Sequence, residues 1–469
     1  MLNYFPKYFT QRAIGLYFIS LLGVTLIFFN NSMNVLWMVF GAVAAVGFFY
    51  YANSLTKKWS KLSPKTFQKR LLYTSVGLRL AWVIFSYFFY IHMNAEPYEF
   101  GAADSHTYNA LGLEGANAFR NGNFNILQIF GYLDVGDMGY ASYLSLVYWI
   151  TGNNIFITRV LKVVWSAWTV LLVYKLASRN FGESTGRIAG ILTMLMPNLI
   201  YYCGLHLKEV EMVFMAVAFL ERTDHILRSK SIKYYHIFVV LLLAFLLFTF
   251  RTVLGAAAVF ALISTLIFST EGAAKWQRRI LLGLWVALAI VFFAGGQIAT
   301  EVEQTWENRD RNQQVGMEAR AQREGGNVFA KYGTKTLFAP AIFIMPVPTM
   351  VSVEGQENQQ LLHGGNYVKD ILAFFLLITF IFILREKKWR DFTLLEIYLF
   401  GYLMVIAYSN FAQSERFHQP ILPIYLMFAA YGISHVTNKS KRYFNWYMAG
   451  LFFVFVAWNY IKLAGRGMV

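Results

Sequence analysis

The sequence predicts an all-α polytopic membrane protein, and three observations lead to that fold class. Of the 469 residues, 57% are hydrophobic and only 14% are charged, whereas soluble domains carry about a quarter charged residues. Apolar runs of about 17–25 residues, the length that crosses a hydrocarbon core, recur along the whole chain. These runs are continuous and do not alternate with a period of two, so they indicate helices rather than barrel strands.

The apolar runs predict about thirteen transmembrane helices. They lie at residues 13–30, 34–52, 71–92, 154–177, 186–204, 209–223, 235–250, 252–269, 280–299, 368–384, 393–409, 420–436 and 444–463. The 53–70 loop contains Lys and Arg but no acid, and the later loops on the same side are also basic. Because basic residues concentrate in cytoplasmic loops, this pattern predicts a cytoplasmic N-terminus. It therefore makes the first acidic loop extracytoplasmic.

That acidic loop, residues 93–153, is the unusual part of a chain whose net charge is +16. Its charged residues are six acids and one base: Glu96, Glu99, Asp104, Glu114, Asp134, Asp137 and Arg120. The 105–120 stretch has a polar and an apolar side and is predicted to be an interfacial helix. The 140–151 stretch is apolar but has only about a dozen residues, too few to span. We therefore expect it to lie in the interface as well.

Four segments follow from this topology. Residues 1–52 form an N-terminal transmembrane hairpin, and residues 53–300 form a central transmembrane module that includes the 93–153 loop. Residues 301–367 form an outer-face loop, and residues 368–469 form the C-terminal helices. The 337–351 part of the loop is apolar and contains three prolines, Pro340, Pro346 and Pro348. Prolines interrupt helices, so this part is predicted to be a surface-lying or lipid-touching loop.

The acidic loop contains the first candidate site, Asp104 with His106 and Tyr108. A carboxylate takes a proton from an attacking hydroxyl when it lies within hydrogen-bond reach. Tyr108 follows Asp104 by four residues and would share its helix face. The alternative is a solvated Asp104 that caps the following helix.

A second polar cluster lies between two predicted spans, at His206, Lys208, Glu209 and Glu211. It falls on the same predicted side as Asp104. One interpretation makes it a further charged part of the same site, which orients an acceptor or supports a metal. The other is an exposed Lys208–Glu209 ion pair that contributes little.

Two further basic positions fall on that side, Arg251 and Arg416, the latter close to His418. A guanidinium suits phosphate oxygens, so Arg416 beside His418 is a candidate phosphate site. The alternatives are an Arg251 that snorkels to the interface and an Arg416 that pairs with Glu415 at the rim.

Arg79 and Arg159 lie within predicted spans, where they either snorkel or line the same cavity. The sequence contains no Walker, GxGxxG, CxxC or HExxH motif, so nucleotide binding through such a loop is unsupported. The single cysteine, Cys203, excludes an intramolecular disulfide. The positive charge follows the topology, and nucleic acid is not an expected partner.

Several motifs occur in a specific order over about residues 70–435. After the third span come Asp104-x-x-x-Tyr108, AFRNGNF, Gly139-Tyr140, the short apolar helix that ends at Thr151-Gly152, Arg159, LASRNFGESTGRIAGILTMLMPNLIYY, Lys208-Glu209 and ERFHQPILPIYLMFAAYGI. In this order the chain resembles bacterial glycosyltransferases of the GT-C fold that use lipid-phosphate sugars. That group is akin to protein O-mannosyltransferases and to the lipid A aminoarabinose transferase.

The resemblance implies a GT-C-type bundle of about 13 transmembrane helices with outer-face interfacial helices, of which residues 53–300 are the catalytic module. It implies that Asp104 is the catalytic base, Glu209 a second acidic position, and Arg416 the basic residue before a late span. The implied reaction transfers a sugar, with inversion, from a polyprenyl-phosphate donor to a hydroxyl of a glycan, lipid or protein. The implied location is the outer face of a bacterial inner membrane.

The other candidates for substrate binding are Tyr108, His106, Lys208, Arg251, His418, Arg159 and Arg79. The sequence departs from the family in its N-terminal hairpin, in its short 301–367 loop and in a single Asp104 where the family has paired acids. The single Asp leaves open whether a divalent metal, Mg or Mn, takes part.

Two other function classes remain open. An O-antigen-type polymerase or ligase that uses diphosphate-linked glycans would place its site in the 300–367 loop, at Arg309, Arg311, Arg320 and Arg323. A transporter would place charged residues at mid-membrane and break helices in matching halves.

Overall fold

The computed structural model describes residues 2–229, 233–268, 341–408 and 412–468. Within these ranges the regular structure is helical, and the β-structure consists of an isolated antiparallel bridge between Ser32 and Val351. The predicted span 280–299 and the four arginines of the alternative polymerase site lie outside the described residues. The all-α class is confirmed for the part of the chain that is described.

The helices are numbered in chain order. They are α1 (Lys7–Ile27), α2 (Val35–Trp59), α3 (Pro64–Asn94), α4 (Ala103–Arg120), α5 (Ile126–Phe130), α6 (Val135–Thr151), α7 (Ile155–Phe181), α8 (Glu183–Leu195), α9 (Pro197–Tyr201), α10 (Glu209–Arg228), α11 (Tyr234–Phe250), α12 (Thr252–Phe268), α13 (Glu357–Arg385), α14 (Thr393–Tyr408), α15 (Glu415–His418), α16 (Leu422–Ser434) and α17 (Asn438–Ala464).

Among the described residues, six helices are long and apolar enough to cross a membrane: α1, α2, α3, α7, α13 and α17. Shorter apolar helices are α11, α12 and α14. This supports a membrane protein. The number of about thirteen spans and their orientation remain predictions.

Both stretches that were predicted as interfacial are helices. The 105–120 stretch belongs to α4, and the 140–151 stretch belongs to the longer α6, which packs closely against α4. The predicted span 186–204 is interrupted at Pro197, where α8 has ended and α9 begins. A proline is tolerated at the first position of a helix but cannot continue one.

The centre of the bundle is α7, which packs against α3, α8 and α10. A second group packs α13 against α2 and α16, and α16 against α8. Helix α3 ends, and α4, α7 and α10 begin, at one end of the bundle. We call this the acidic end, after Glu96, Glu99 and Asp104.

The N-terminal hairpin is part of the packed core through α2, which crosses α13 at small residues. A Cβ atom on Gly41 would overlap the ring of His363 and the hydroxyl of Tyr17, and one on Gly364 would overlap the Gly41 backbone. The His363 ring and the Tyr17 hydroxyl fill this space. A 2.8 Å hydrogen bond joins the hydroxyl to His363 Nε2. Close approach at small residues is a common basis of helix packing in membranes.

The described part of the 337–351 stretch corrects the sequence prediction of a surface-lying or lipid-touching loop. Residues 345–351 are buried. The backbone N–H of Met350 donates to Asn459 Oδ1 of α17 at 2.8 Å, and Ser352 N–H donates to the Asn31 carbonyl at 2.8 Å. Irregular backbone is tolerated in such surroundings when other segments satisfy its polar groups.

Gly41→Ala is expected to destabilise the protein by about 1–3 kcal/mol, because the added methyl displaces the His363 ring from a filled crossing. The measurement is the thermal unfolding midpoint of the purified protein in detergent. Gly47→Ala is the matched control, because Gly47 lies on the same helix and a Cβ there meets no atom within 4 Å. Equal midpoints for the two variants would contradict the role of this crossing.

Candidate functional site

Three helices begin close together at the acidic end, and each contributes one charged side chain to a shared cluster. These are Asp104 of α4, Glu209 of α10 and Arg416 of α15. Arg416 joins the other two, because its Nη1 donates to Asp104 Oδ2 and its Nε donates to Glu209 Oε1. Asp104 and Arg416 are 312 positions apart in sequence. The structure thus brings three of the predicted site residues into direct contact.

The two carboxylates of this cluster differ in exposure. The Asp104 side chain is 58% exposed, the Glu209 side chain 1% and the Arg416 side chain 19%. Burial lowers the pKa of Arg416, but Glu209 and Asp104 raise it by more, so its pKa lies above the ordinary value. Arg416 is therefore a permanent cation that is paired with one buried carboxylate, Glu209, and one solvent-exposed carboxylate, Asp104.

Asp104 is not the N-cap of α4. The N-cap position is Ala102, and Asp104 lies within the first turn. A carboxylate in the first turn still interacts favourably with the helix dipole. The structure therefore favours an open carboxylate whose partner is a side chain of another helix over the helix-capping alternative.

Arg251 brings a second guanidinium to Glu209 from the junction of α11 and α12. Its Nη2 lies 3.7 Å from Glu209 Oε1, and its guanidinium carbon lies 4.4 Å from the centre of the Phe417 ring. Its side chain is 14% exposed. Both sequence alternatives for the arginines differ from this arrangement: Arg251 does not snorkel outward, and Arg416 pairs with Asp104 and Glu209 rather than with Glu415.

Lys208 lies beside the cluster but pairs with a different acid from the one the sequence suggested. Its Nζ donates to Asp137 Oδ1 and to the Gly136 carbonyl, on α6. The Tyr108 hydroxyl also donates to Asp137 Oδ1, at 3.2 Å. Burial lowers the pKa of Lys208, and Asp137 offsets part of that shift. The expected Lys208–Glu209 pair is replaced by contacts that connect the 204–208 turn to α6.

A buried ion pair below this turn was missed by the sequence analysis. Lys162 Nζ of α7 donates to Glu211 Oε2 at 2.8 Å and also to the Leu207 carbonyl. The two side chains are 1% and 6% exposed. Lys162 therefore fixes both the turn and the first part of α10, which positions Glu209. The signal in the sequence was the presence of Lys162 and Glu211, two opposite charges, inside the predicted spans 154–177 and 209–223.

Arg159 and Glu99 fix the segment that precedes α4. Arg159 is fully buried and donates to the Pro97 carbonyl. Glu99 Oε1 accepts a hydrogen bond from the Ser105 hydroxyl at 2.6 Å, next to Asp104 in sequence. Burial raises the pKa of Glu99. Arg159 thus supports the site from behind and does not join the Arg416 cluster.

Arg79 has a structural position at the break between α8 and α9. Its Nε donates to Ser166 Oγ at 2.6 Å, and its Nη atoms donate to the carbonyls of Thr193 and Met194 at 3.3 and 3.2 Å. The guanidinium thereby satisfies carbonyls that the helix break leaves without a helical partner. Arg79 also lines a small cavity together with Glu209. In the described part of the chain, Arg79 adjoins the site through this cavity.

The two histidines predicted to bind substrate, His106 and His418, lie apart from the Arg416 cluster. His106 Nε2 contacts the exposed Glu96 at 3.0 Å. His418 is buried, and its Nε2 contacts the Ala412 carbonyl at 3.0 Å. Their predicted substrate roles remain predictions, without support from contacts to Arg416.

Helix α13 carries a second pair of buried charges that the sequence analysis did not single out. Lys369 and Asp370 are 3% and 0% exposed. Within the described chain, Lys369 Nζ and both Asp370 carboxylate oxygens have no hydrogen-bond partner. Lys369 lies 5.8 Å from the centre of the Tyr425 ring. Ionisable groups inside a span are costly and often functional.

Polar atoms around the acidic-end cluster also have unused hydrogen-bonding capacity. Within the residues described, the buried atoms without a partner at this end include Glu99 Oε2, Arg159 Nε and Nη1, Glu209 Oε2 and Glu211 Oε1. Most buried polar atoms in proteins have a partner. This concentration is typical of a site that binds water or a polar ligand.

The donor set fits an anion better than a metal ion. Among the described residues, no group of three or more His, Cys, Asp or Glu side chains is placed to hold a metal ion. Asp104 and Glu209, the two predicted acids, both accept from the Arg416 guanidinium. A cation therefore already lies between them, and no reaction step is assigned to a metal.

Comparison of the chain with protein-family models, with curated proteins and with solved structures gave no match. The geometry of the acidic-end cluster and the ordered motifs of the sequence are therefore the observations that bear on function.

Lys162→Met is expected to reduce stability by about 3–5 kcal/mol, because it leaves Glu211 buried without its counter-charge. The double variant Lys162→Met/Glu211→Gln should recover part of this loss. The measurement is the thermal unfolding midpoint of each purified variant. A double variant whose loss of stability equals the sum of the losses in Lys162→Met and Glu211→Gln would show that the pair is not coupled.

Proposed function

We propose that the protein is an inverting glycosyltransferase that moves a sugar from a polyprenyl-phosphate donor to an acceptor hydroxyl at the outer face of a bacterial inner membrane. The observation that carries this proposal is the contact of Arg416 with an open and a buried carboxylate, Asp104 and Glu209, at one end of an apolar helical bundle. The ordered resemblance to GT-C enzymes supports it, and the acceptor is a glycan, a lipid or a protein.

Each partner in this reaction matches a group in the cluster. Asp104 accepts the proton of the acceptor hydroxyl. The acceptor oxygen then bonds to the anomeric carbon while the bond from that carbon to the phosphate oxygen breaks, and the phosphate leaves with the electron pair. Arg416 and Arg251 stabilise the charge on the leaving phosphate. A single displacement inverts the anomeric centre.

The surroundings of Arg251 suit a lipid-linked donor. Arg251 joins α11 and α12, and both helices carry large exposed apolar side chains, among them Phe245 at 53% and Phe260 at 60% exposure. Apolar side chains exposed to this degree are expected where a protein contacts lipid tails. A polyprenyl tail along these helices would bring its phosphate to Arg251.

One observation favours a second candidate function, a transporter. Lys369 and Asp370 are a buried pair of ionisable residues within α13, and ionisable groups inside a membrane-spanning helix often belong to transport pathways. Uptake by liposomes that contain the protein, lost in Lys369→Met and retained in Asp104→Asn, would favour this alternative. The polymerase or ligase alternative rests on arginines outside the described residues and gains no support from contacts within them.

Asp104→Asn is expected to reduce sugar transfer by about 10²–10⁴-fold, the usual contribution of a general base. The measurement is transfer from a polyprenyl-phosphate sugar by the purified protein in lipid. Asp134→Asn is the matched control, because Asp134 is an exposed acid near the same end that makes no side-chain cap contact. Full activity of Asp104→Asn would refute the assignment of the base.

Arg416→Ala is expected to weaken apparent donor affinity by roughly 10- to 100-fold, as expected for lost hydrogen bonds between charged groups. Arg416→Lys keeps the charge but loses the planar guanidinium that donates to two partners at once. Its apparent donor affinity should therefore lie between those of Arg416→Ala and the wild type. The apparent KM for the donor, measured at saturating acceptor, tests both variants. An unchanged KM in Arg416→Ala would remove Arg416 from the donor site.

A further inference from the structure

The two contacts of Arg416 differ in how easily an incoming anion replaces them. Its contact with Asp104 involves a side chain that is 58% exposed, whereas its contact with Glu209 involves one that is 1% exposed. Exposed ion pairs contribute little because water competes for both partners. Breaking a buried pair leaves a charge without compensation. The contact with Asp104 is therefore the one that gives way.

The same contact also occupies one carboxylate oxygen of the proposed base. Asp104 Oδ2 accepts a hydrogen bond from Arg416 Nη1. While that oxygen accepts from a guanidinium, it offers no free lone pair in that direction to an acceptor hydroxyl. Catalysis by Asp104 through this oxygen requires that Arg416 first take another partner.

We propose that the phosphate of the lipid donor takes the place of the Asp104 carboxylate on Arg416, so that donor binding releases the base. This inference rests on the proposed function and adds an order to it: the donor binds before the acceptor can be deprotonated. Glu209 keeps its contact with Arg416 Nε throughout, and only Nη1 changes partner. Arg251, 3.7 Å from Glu209, adds a second guanidinium to the phosphate position.

The charge balance of the reaction agrees with this exchange. The donor is a phosphodiester with one negative charge, and Asp104 carries another. When the sugar leaves, the phosphate becomes a monoester and gains a second charge, while Asp104 gains the acceptor's proton and becomes neutral. The total charge of the pair stays constant as one unit moves from the base to the leaving group. An arginine that has moved from Asp104 to the phosphate on donor binding is already in place to stabilise the charge that the phosphate gains.

The exchange predicts an effect that is unusual for an active-site variant. Asp104→Asn removes the competitor for Arg416, so the variant should bind a short-chain polyprenyl phosphate about three- to fivefold more tightly than the wild type, the upper range for an ion pair with an exposed partner. A residue that merely contacts the ligand would weaken binding when changed.

The experiment measures binding of a short-chain polyprenyl phosphate, and of the uncharged polyprenol, to the full chain in lipid nanodiscs. The variants are wild type, Asp104→Asn, Asp104→Ser as a second neutral replacement, and Asp134→Asn as the control for loss of one acid at the same end. The expected result is tighter phosphate binding in both Asp104 variants, unchanged polyprenol binding, and wild-type behaviour of Asp134→Asn.

Two results overturn the exchange. One is equal or weaker phosphate binding in both Asp104 variants, and the other is equal tightening in Asp134→Asn, which would indicate a general charge effect. If either occurs while the wild type still transfers sugar, the exchange fails and the proposed function stands. If no variant binds the phosphate better than the polyprenol, the proposed function fails with it.

Discussion

The buried carboxylate of Glu209 is the group on which the acidic end depends. It lies at the first residue of α10, where the helix dipole favours a negative charge, and it is the shared counter-charge of two guanidiniums, Arg416 and Arg251. These arginines come from segments that are far apart in the chain. Without Glu209 they would bring two positive charges together in a water-poor place. Its position in turn depends on Lys162, which holds the turn before it.

The sequence predicted the helical class and the main members of the acidic-end cluster because charge is expensive in an apolar chain. With so few charged residues, each one near the end of an apolar run was informative. The residues Asp104, Glu209, Arg251 and Arg416 were selected on this basis, and the structure places them in one cluster. Both stretches that were predicted to be interfacial are helices. The 105–120 stretch has an amphipathic helical pattern, and the 140–151 stretch is apolar but too short to span.

The partners within the cluster could not be read from sequence order. Lys208 and Glu209 are adjacent, yet consecutive helical residues point in different directions, so Lys208 contacts Asp137 while Glu209 contacts the arginines. The Lys162–Glu211 pair joins two helices whose rotation and depth the sequence does not specify. The 337–351 stretch was expected at the surface because its three prolines exclude a continuous helix, but in its described part a segment distant in sequence binds the backbone, as Asn459 does at Met350. Such errors arise where the local sequence is compatible with more than one partner or position, and contacts between distant segments decide which one forms.

The crossing of α2 and α13 has a consequence for how the protein is made. Tyr17 and His363 are separated by 346 positions in the chain, so the hairpin leaves the ribosome long before the helix that fills its glycine surface. During that interval, the Gly41 surface of α2 has no α13 to pack against. The crossing at Gly41 and His363 therefore forms only after the C-terminal helices have been translated.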